Sequence, residues 1–381
     1  MKRGLLLKLL VIDVVVAACA LIFIFIAMWN KPLGPSLDLT AVESKIQATS
    51  EPVLGETQNS ETATSELADI STPTATPASV LSQIISLFKG QASSNNNICN
   101  GPAEMTILLI GSDERSEGYL YGLADSIRLV RVDFSTPSLQ TLDIPRDLWV
   151  EIPGIADHYG ITHGKINQAY FFGNPGMGYY DGPGEGPGLL ANTLEKNFNV
   201  SVDHYVAVDI KTFVRIIDAI DGIDIYTASE IDLNQNHDGE NPDYVLEPGA
   251  HHLDGQMALR VAMNRYPTIF QRAKNQDLVL KALESKLLTP AMITRLPGLI
   301  TDFTKSVQTD LSPNDITKLI CLSQAVTKDN INTLTFPEDL FTNGHVYDPY
   351  RQVNTSVLEA DFNQLRAYFA DFLDGSWPEM K

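Results

Sequence analysis

The stretch MTILLIGSDERSEGYLYGLADSIRLVRVDFSTPSLQTLDIPRD, Met105 to Asp147, decides the fold. Its first apolar run, Met105 to Ile110, ends in Gly111, and the polar loop that follows carries Asp113 and Arg115. A second run, Ser126 to Val132, begins directly after Asp125, and a third, Leu139 to Ile144, ends at Pro145-Arg146-Asp147. Short apolar runs bounded by Gly, Pro and Asp read as buried strands. If the three are neighbours in one sheet, their ends bring two carboxylates and several guanidinium groups together. A pair of aspartates can share a hard divalent cation, and arginines grip phosphate oxygens in a fork. That combination suits a diphosphate with its magnesium.

Working outward, strands and helices alternate. Gly164 to Phe172 reads as the start of a helix, Leu189 to Asn199 as a helix, Tyr205 to Val208 as a strand, Lys211 to Ile220 as a helix and Ile223 to Tyr226 as a strand. The Gly-rich run between Gly173 and Gly188 lacks the Gly-Lys-Ser/Thr ending of a nucleotide P-loop and reads as a flexible surface loop, a candidate lid. Asp232, Asn234, Asn236 and Asp238 before Gly239 mimic the opening of a calcium loop, but the twelfth position from Asn234 is Val245. Without a bidentate acid there, a hairpin turn at Asp238-Gly239 is the better reading. Gly255 to Ala262, Arg272 to Leu288 and Pro313 to Val326 read as helices, the last capped by Ser312. Leu334 falls in a late strand, and Leu358 to Phe372 closes the chain as an amphipathic helix. The alternation predicts an α/β layered fold.

The 381 residues carry a formal net charge of −20, which argues against nucleic acid as a partner. Arg128, Arg131, Arg146, Arg260, Arg265 and Arg272 stand out against that background, either as scattered surface ion pairs or as a cluster. Residues 4 to 29 form an apolar run long enough to cross a bilayer, with Lys2, Arg3 and Lys8 on its N-terminal side. The positive-inside rule then places the N-terminus in the cytoplasm and everything after Trp29 outside. Val16-Ala17-Ala18-Cys19 superficially resembles a lipoprotein cleavage box, yet the apolar run continues well past Cys19, as in an uncleaved anchor. Residues 31 to 100, rich in Ser, Thr, Pro, Glu and Asn, read as a disordered tether, with a transient helix at Val80 to Phe88. The folded domain is expected from Gly101 to the end. Cys99 and Cys321 are either one disulfide or two free thiols.

Taken together, the motifs resemble the LytR–CpsA–Psr family of cell-envelope proteins. The likeness rests on GSDER at Gly111–Arg115, ADS at Ala124–Ser126, IPRD at Ile144–Asp147, KINQAYFFG at Lys165–Gly173, DHYVAVDIKTFVRIIDAIDGIDI at Asp203–Ile225 and PGAHHLDGQMAL at Pro248–Leu259. It implies an α/β/α sandwich around a central mixed sheet, with a hydrophobic groove for a lipid tail. It implies a membrane-anchored extracytoplasmic phosphotransferase that moves an anionic glycopolymer from a polyprenyl diphosphate carrier to peptidoglycan or a related wall polymer. By position, Asp113 and Asp125 would hold Mg2+ on the diphosphate, and Arg115, Arg146, Arg265 and Arg272 would cradle its oxygens. Lys165, Asn167 and Gln276 would orient these groups or the substrate. Asp113, Asp125 and Arg146 are the expected catalytic set. Leu123, Met263, Ile269 and Asn275 stand where the family usually carries charged residues, arginine at three of them. Those losses leave a second expectation: a catalytically impaired member that binds polyprenyl phosphates as a scaffold or regulator. Arg128, Arg131 and Arg260 are the candidates to replace the missing grips.

Overall fold

The computed structural model describes residues 30–37, 97–114, 119–234, 241–266, 269–287, 289–293, 295–303 and 306–377. The expected membrane anchor, the helix at Val80 to Phe88, Arg115 and the Asp238-Gly239 turn lie outside these residues. Among the described residues no helix is long and apolar enough to cross a membrane.

The three expected strands are present as β1 (Glu104–Ser112), β2 (Ala124–Asp133) and β3 (Ser138–Asp143). β2 runs antiparallel to both of its neighbours. A short hairpin of β4 (Trp149–Glu151) and β5 (His163–Lys165) leads into α1 (Ile166–Gly173) and α2 (Glu185–Phe198). β6 (His204–Asp209) then lies parallel to β1, and its Asp209 caps α3 (Ile210–Ala219) by accepting from the Thr212 amide. Three short elements follow, β7 (Ile223–Thr227), β8 (Ile231–Asp232) and β9 (Val245–Leu246), and then β10 (Gly249–Leu253), which pairs with β7. Helices α4 (Gly255–Met263), α5 (Ile269–Leu287), α6 (Pro290–Ile293) and α7 (Leu296–Phe303) complete this part. The chain ends through β11 (Gln308–Thr309), α8 (Pro313–Ser323), β12 (Ile331–Thr335), the hairpin β13 (Phe341–Asp348) and β14 (Val353–Ala360), and α9 (Phe362–Leu373). The main sheet is mixed and six-stranded, in the order β11-β6-β1-β2-β3-β12.

Period-two alternation sorts each central strand onto two faces. Leu108, Ile110, Ile127, Leu129 and Leu142 enter one core with side chains of α1, α2 and α9. Met105, Ile107, Val130 and Val132 enter another with Leu322 of α8. A third cluster joins α3, α4 and α5 to β7 and β10.

Several expectations need correction. Leu358 is not in the closing helix: it belongs to β14, and α9 begins after Asp361, whose carboxylate caps it. The end of the Gly-rich run is helical rather than loop, because Gly186, Pro187 and Gly188 lie in the buried first turns of α2. Glycine is required there by close packing. A Cβ on Gly173 would stand 2.8 Å from Gly186, and one on Gly186 would stand 2.1 Å from Asn174 Oδ1. The rest of the run is tied down, with the Gly176 amide donating to Leu120 and Asn192 donating to the Tyr180 hydroxyl. The tether also departs from expectation at its start. Leu37 is buried in the core, the Leu33 amide donates to the Leu311 carbonyl, and the Tyr205 hydroxyl donates to the Pro35 carbonyl. Residues 33–37 thus form a strap along the β6–β11 edge.

Cys99 and Cys321 form a disulfide between the turn before β1 and α8. It closes 222 residues, for which loop-closure entropy gives about 5 kcal/mol. We expect the paired Cys99→Ser, Cys321→Ser variant to unfold at clearly lower guanidinium concentration with a steeper slope, because the uncrosslinked denatured chain exposes more surface. An unaltered midpoint would show that the cross-link contributes nothing.

Candidate functional site

The ends of β1 and β2 build the site. Their ladder shifts register between Gly111 and Ser112, a bulge that re-aims the residues beyond it. Past the bulge, the Asp113 amide donates to the Leu123 carbonyl at 3.0 Å, and its Oδ1 accepts from the Leu123 amide at 2.6 Å. The Leu123 backbone therefore fixes the Asp113 carboxylate. Asp125 lies two residues further along the same strand end, so the two aspartates line one cavity.

Pro145 turns the chain out of β3 and presents Arg146 to Asp125, with Arg146 Nη1 on Asp125 Oδ1. Arg272 approaches the same carboxylate from α5, Nη1 to Oδ2 at 4.0 Å. Arg146 Nε also reaches Asp147 at 3.3 Å, and Lys165 Nζ holds the other Asp147 oxygen at 2.8 Å. Asn167 is buried, and its backbone N–H donates to the Arg146 carbonyl, which positions that residue from α1. Asp125, Arg146, Asp147, Arg272 and Gln276 line a polar cleft of about 60 Å³.

The electrostatics follow from this crowding. Burial pushes the Arg272 guanidinium down to about 10, the like charges of Arg146 and Arg265 add to the effect, and Asp125 and Asp147 oppose it. Arg272 Nη1 is buried without a hydrogen-bond partner. Burial works to raise the Asp147 carboxyl, but Arg146 and Lys165 outweigh it and hold the group below the usual carboxylate range. Arg265 is exposed at the rim. Cationic donors without enough local counter-charge are a receptor for an anion.

Asp125, Ser126 and Gln276 are shared with a second cavity of about 240 Å³. Its walls come from Leu109 of β1, Val206 and Val208 of β6, Phe213 of α3, Leu259 of α4 and Leu280 of α5. Along α5, Arg272, Gln276, Leu280 and Leu283 follow at helical spacing, so one helix face passes from charged cleft to apolar cavity. The arrangement fits a ligand with an anionic head and an apolar tail.

Of the sequence-derived residues, the structure brings Asp113, Asp125, Arg146, Lys165, Asn167, Arg272 and Gln276 together. The substitutes for the missing arginines do not all join them. Arg131 turns to Glu104, Asp133 and the Leu373 carbonyl, and Arg260 stacks on Tyr244 at 3.8 Å. Arg128 does line the apolar cavity but is buried between Asp143 at 3.3 Å and Asp277 at 2.6 Å. Asn275 has become structural: it is buried, accepts from Gln271 and donates to the Asn264 carbonyl. Met263 lines the apolar cavity. The Asp147–Lys165 pair was not anticipated, although Asp147 lies within the IPRD motif.

No cluster of three or more acidic, His or Cys side chains suited to a metal occurs among the described residues. Two carboxylates on one cavity beside a phosphate-sized cationic cleft nevertheless fit magnesium, which takes one or two carboxylates and completes its shell with phosphate oxygens and water.

This chain belongs to the LytR_cpsA_psr family, whose sequence profile matches residues 76–367. It is 26% identical over 287 residues to the regulatory protein MsrR of Staphylococcus aureus, covering 72% of this chain and 77% of that one. It is 31% identical over 233 residues to the polyisoprenyl-teichoic acid–peptidoglycan teichoic acid transferase TagU of Oceanobacillus iheyensis, covering 60% and 66%. Among solved structures, B. subtilis TagV superposes with a TM-score of 0.55 at 24% identity, over 72% of this chain and 98% of that one. TagT bound to LIIa-WTA superposes at 0.52 and 19% identity, over 74% and 98%. At these identities the structural likeness is one of fold.

Replacing Arg272 should separate stability from binding. Arg272→Met removes a buried, under-compensated charge, so the unfolding free energy should rise by about 1–2 kcal/mol while calorimetric affinity for pyrophosphate falls at least tenfold. A less stable variant, or one that keeps its affinity, would contradict the charge balance described.

Proposed function

We propose that this protein is a membrane-anchored extracytoplasmic phosphotransferase that moves an anionic glycopolymer from a polyprenyl diphosphate carrier to peptidoglycan or a related wall acceptor. The observation that carries the reading is the junction at Asp125, where a cleft lined by Arg146 and Arg272 opens beside an apolar cavity. Such a junction suits a lipid diphosphate better than a soluble sugar phosphate, because only the lipid gains from the apolar walls. The names of the TagU relatives support the same chemistry. A three-layer α/β/α sandwich, with helices on both faces of the sheet, agrees with the two cores that flank it. The apolar run at residues 4 to 29 supports a single-pass anchor with the domain outside the cell.

In this reading Arg146, Arg272 and Arg265 bind the diphosphate oxygens, and Lys165 holds Asp147 so that Arg146 stays aimed at them. Gln276 stands between head and tail. Asp113 and Asp125 would hold magnesium, which supplies charge neutralisation at the diphosphate. The acceptor hydroxyl oxygen forms the new bond to the phosphorus that carries the glycan. The bridging P–O bond breaks, its electron pair leaves with polyprenyl phosphate, and one of the two aspartates takes the hydroxyl proton. The alternative reading, a lipid-binding scaffold, is favoured by a specific observation. Arg128, the substitute arginine beside the cavity, is already paired with Asp143 and Asp277.

The test uses the full chain in detergent with magnesium, a polyprenyl-diphosphate oligosaccharide and a peptidoglycan acceptor. Transfer by the wild type that drops at least a hundredfold in Asp125→Ala supports the enzyme; lipid binding with no transfer supports the scaffold. Leu280→Asp places a charge in the apolar wall. It should weaken lipid-donor binding at least tenfold while leaving pyrophosphate binding near wild type; equal loss of both would refute a separate tail site.

A further inference from the structure

A ladder of aromatic rings stands on the opposite end of α1 from the charged cleft, and the reaction proposed above does not use it. Phe172, buried in the core, stacks on Tyr179 at 5.8 Å, and Tyr179 stacks in turn on His158 at 4.3 Å with an interplanar angle of 7°. Tyr159 flanks Tyr179 at 6.3 Å and is 83% exposed. Tyr350 closes the ladder, edge-on to Phe171 at 5.4 Å and to Phe172 at 5.2 Å.

Three features mark this as a built surface. Tyr159 adopts φ +58°, a left-handed conformation that costs a bulky residue free energy, and its ring stands in water. The loop that carries it is clamped by Ile155 and Ile161, both fully buried, so the ring sits on a fixed base. The neighbouring turn glycines Gly154, Gly160 and Gly178 have nothing within 4 Å of where a side chain would be, which leaves the approach open.

The ladder is also held in register with the cleft. The Lys165 amide donates to Gln168 Oε1 at 2.7 Å, Gln168 Nε2 donates to Asp348 Oδ2 at 2.9 Å, and Asp348 Oδ1 accepts from the Tyr350 amide at 2.9 Å. Gln168 and Asp348 are both buried. The same Lys165 places its ammonium on Asp147 beside Arg146. The eight residues of α1 span about 12 Å, roughly the length of two sugar rings.

We propose that this aromatic surface binds the glycan of the wall acceptor, stacking sugar rings so that a hydroxyl further along the strand reaches the cleft. Sugar C–H bonds carry partial positive charge and settle on the electron-rich faces of Tyr and His rings, and rigid rings lose little entropy in doing so. The inference rests on the transfer reading, since it names that reaction's second substrate.

The test titrates the full chain in detergent with chitotetraose, a β-1,4-linked N-acetylglucosamine oligomer, without donor or metal, followed by ligand-observed NMR. We expect binding that weakens about fivefold or more in Tyr159→Ala and in His158→Ala and is retained in Tyr159→Phe. In the transfer assay Tyr159→Ala should raise the acceptor KM and leave kcat near wild type. Absence of chitotetraose binding, binding unchanged by Tyr159→Ala and His158→Ala, or preference for a lysine-rich peptide over the glycan would overturn the proposal. Chitotetraose binding that depends on Tyr159 in a protein without transfer would uphold the glycan site and reject the transfer reading. Transfer indifferent to Tyr159 would do the reverse.

Discussion

One carboxylate facing two guanidinium groups sets the terms for the rest of the molecule. Asp125 meets Arg146 on one oxygen and Arg272 on the other, and the three side chains come from the start of β2, the exit of β3 and the first turns of α5. Two carboxylates, Asp125 and Asp147, are set against Arg146, Arg272 and Lys165, the guanidinium groups repel each other, and partial burial raises the cost. The fold holds these charges together through the cores on either side of the sheet, which owe nothing to the charged cluster. A chain with a net charge of −20 thus gathers several of its cationic side chains in one small place. An incoming anion completes a pairing that the protein leaves unfinished.

The apolar cavity works by the opposite physics, yet shares side chains with the cleft. Asp125, Ser126 and Gln276 belong to both, so head and tail recognition cannot drift apart. The face of α5 supplies the continuity: cationic in its early turns, amide at Gln276, aliphatic from Leu280 onward. Its other side packs Leu278 and Ala282 into the third core, which fixes the helix's rotation.

Much of this was legible in the residues. The three central strands announced themselves because each is an apolar run stopped by Gly, Pro or Asp, and their antiparallel pairing brings the charged residues to one end of the strands. The Asp125–Arg146–Arg272 grouping followed from strand ends plus the family pattern. What escaped was set by tertiary contact. Leu358 looked helical because its apolar spacing continues smoothly into α9, yet pairing with Asn343 across the β13–β14 hairpin claims it for a strand. Gly186 and Gly188 looked like loop because glycine is a poor helix former, and only close contacts explain them, with the end of α1 for Gly186 and with the Pro183 carbonyl for Gly188. Arg128 gave no sign that Asp143 and Asp277 would claim it, because that triad joins three separate elements. The strap at residues 33–37 has turn-like composition and gains order only from the sheet edge beside it.

That strap fixes where the chain that precedes the globular part meets it. The chain is pinned to the β6–β11 edge by the Leu33 and Leu37 contacts, and it is pinned again at Ile98, whose amide donates to Phe134 and whose neighbour Cys99 is cross-linked to α8. Residues 33–37 and residues 98–99 are therefore fastened to the same body. Residue 30 therefore stands only a few residues from the β6–β11 edge, and its distance from the globular part is set by the contacts of residues 33–37.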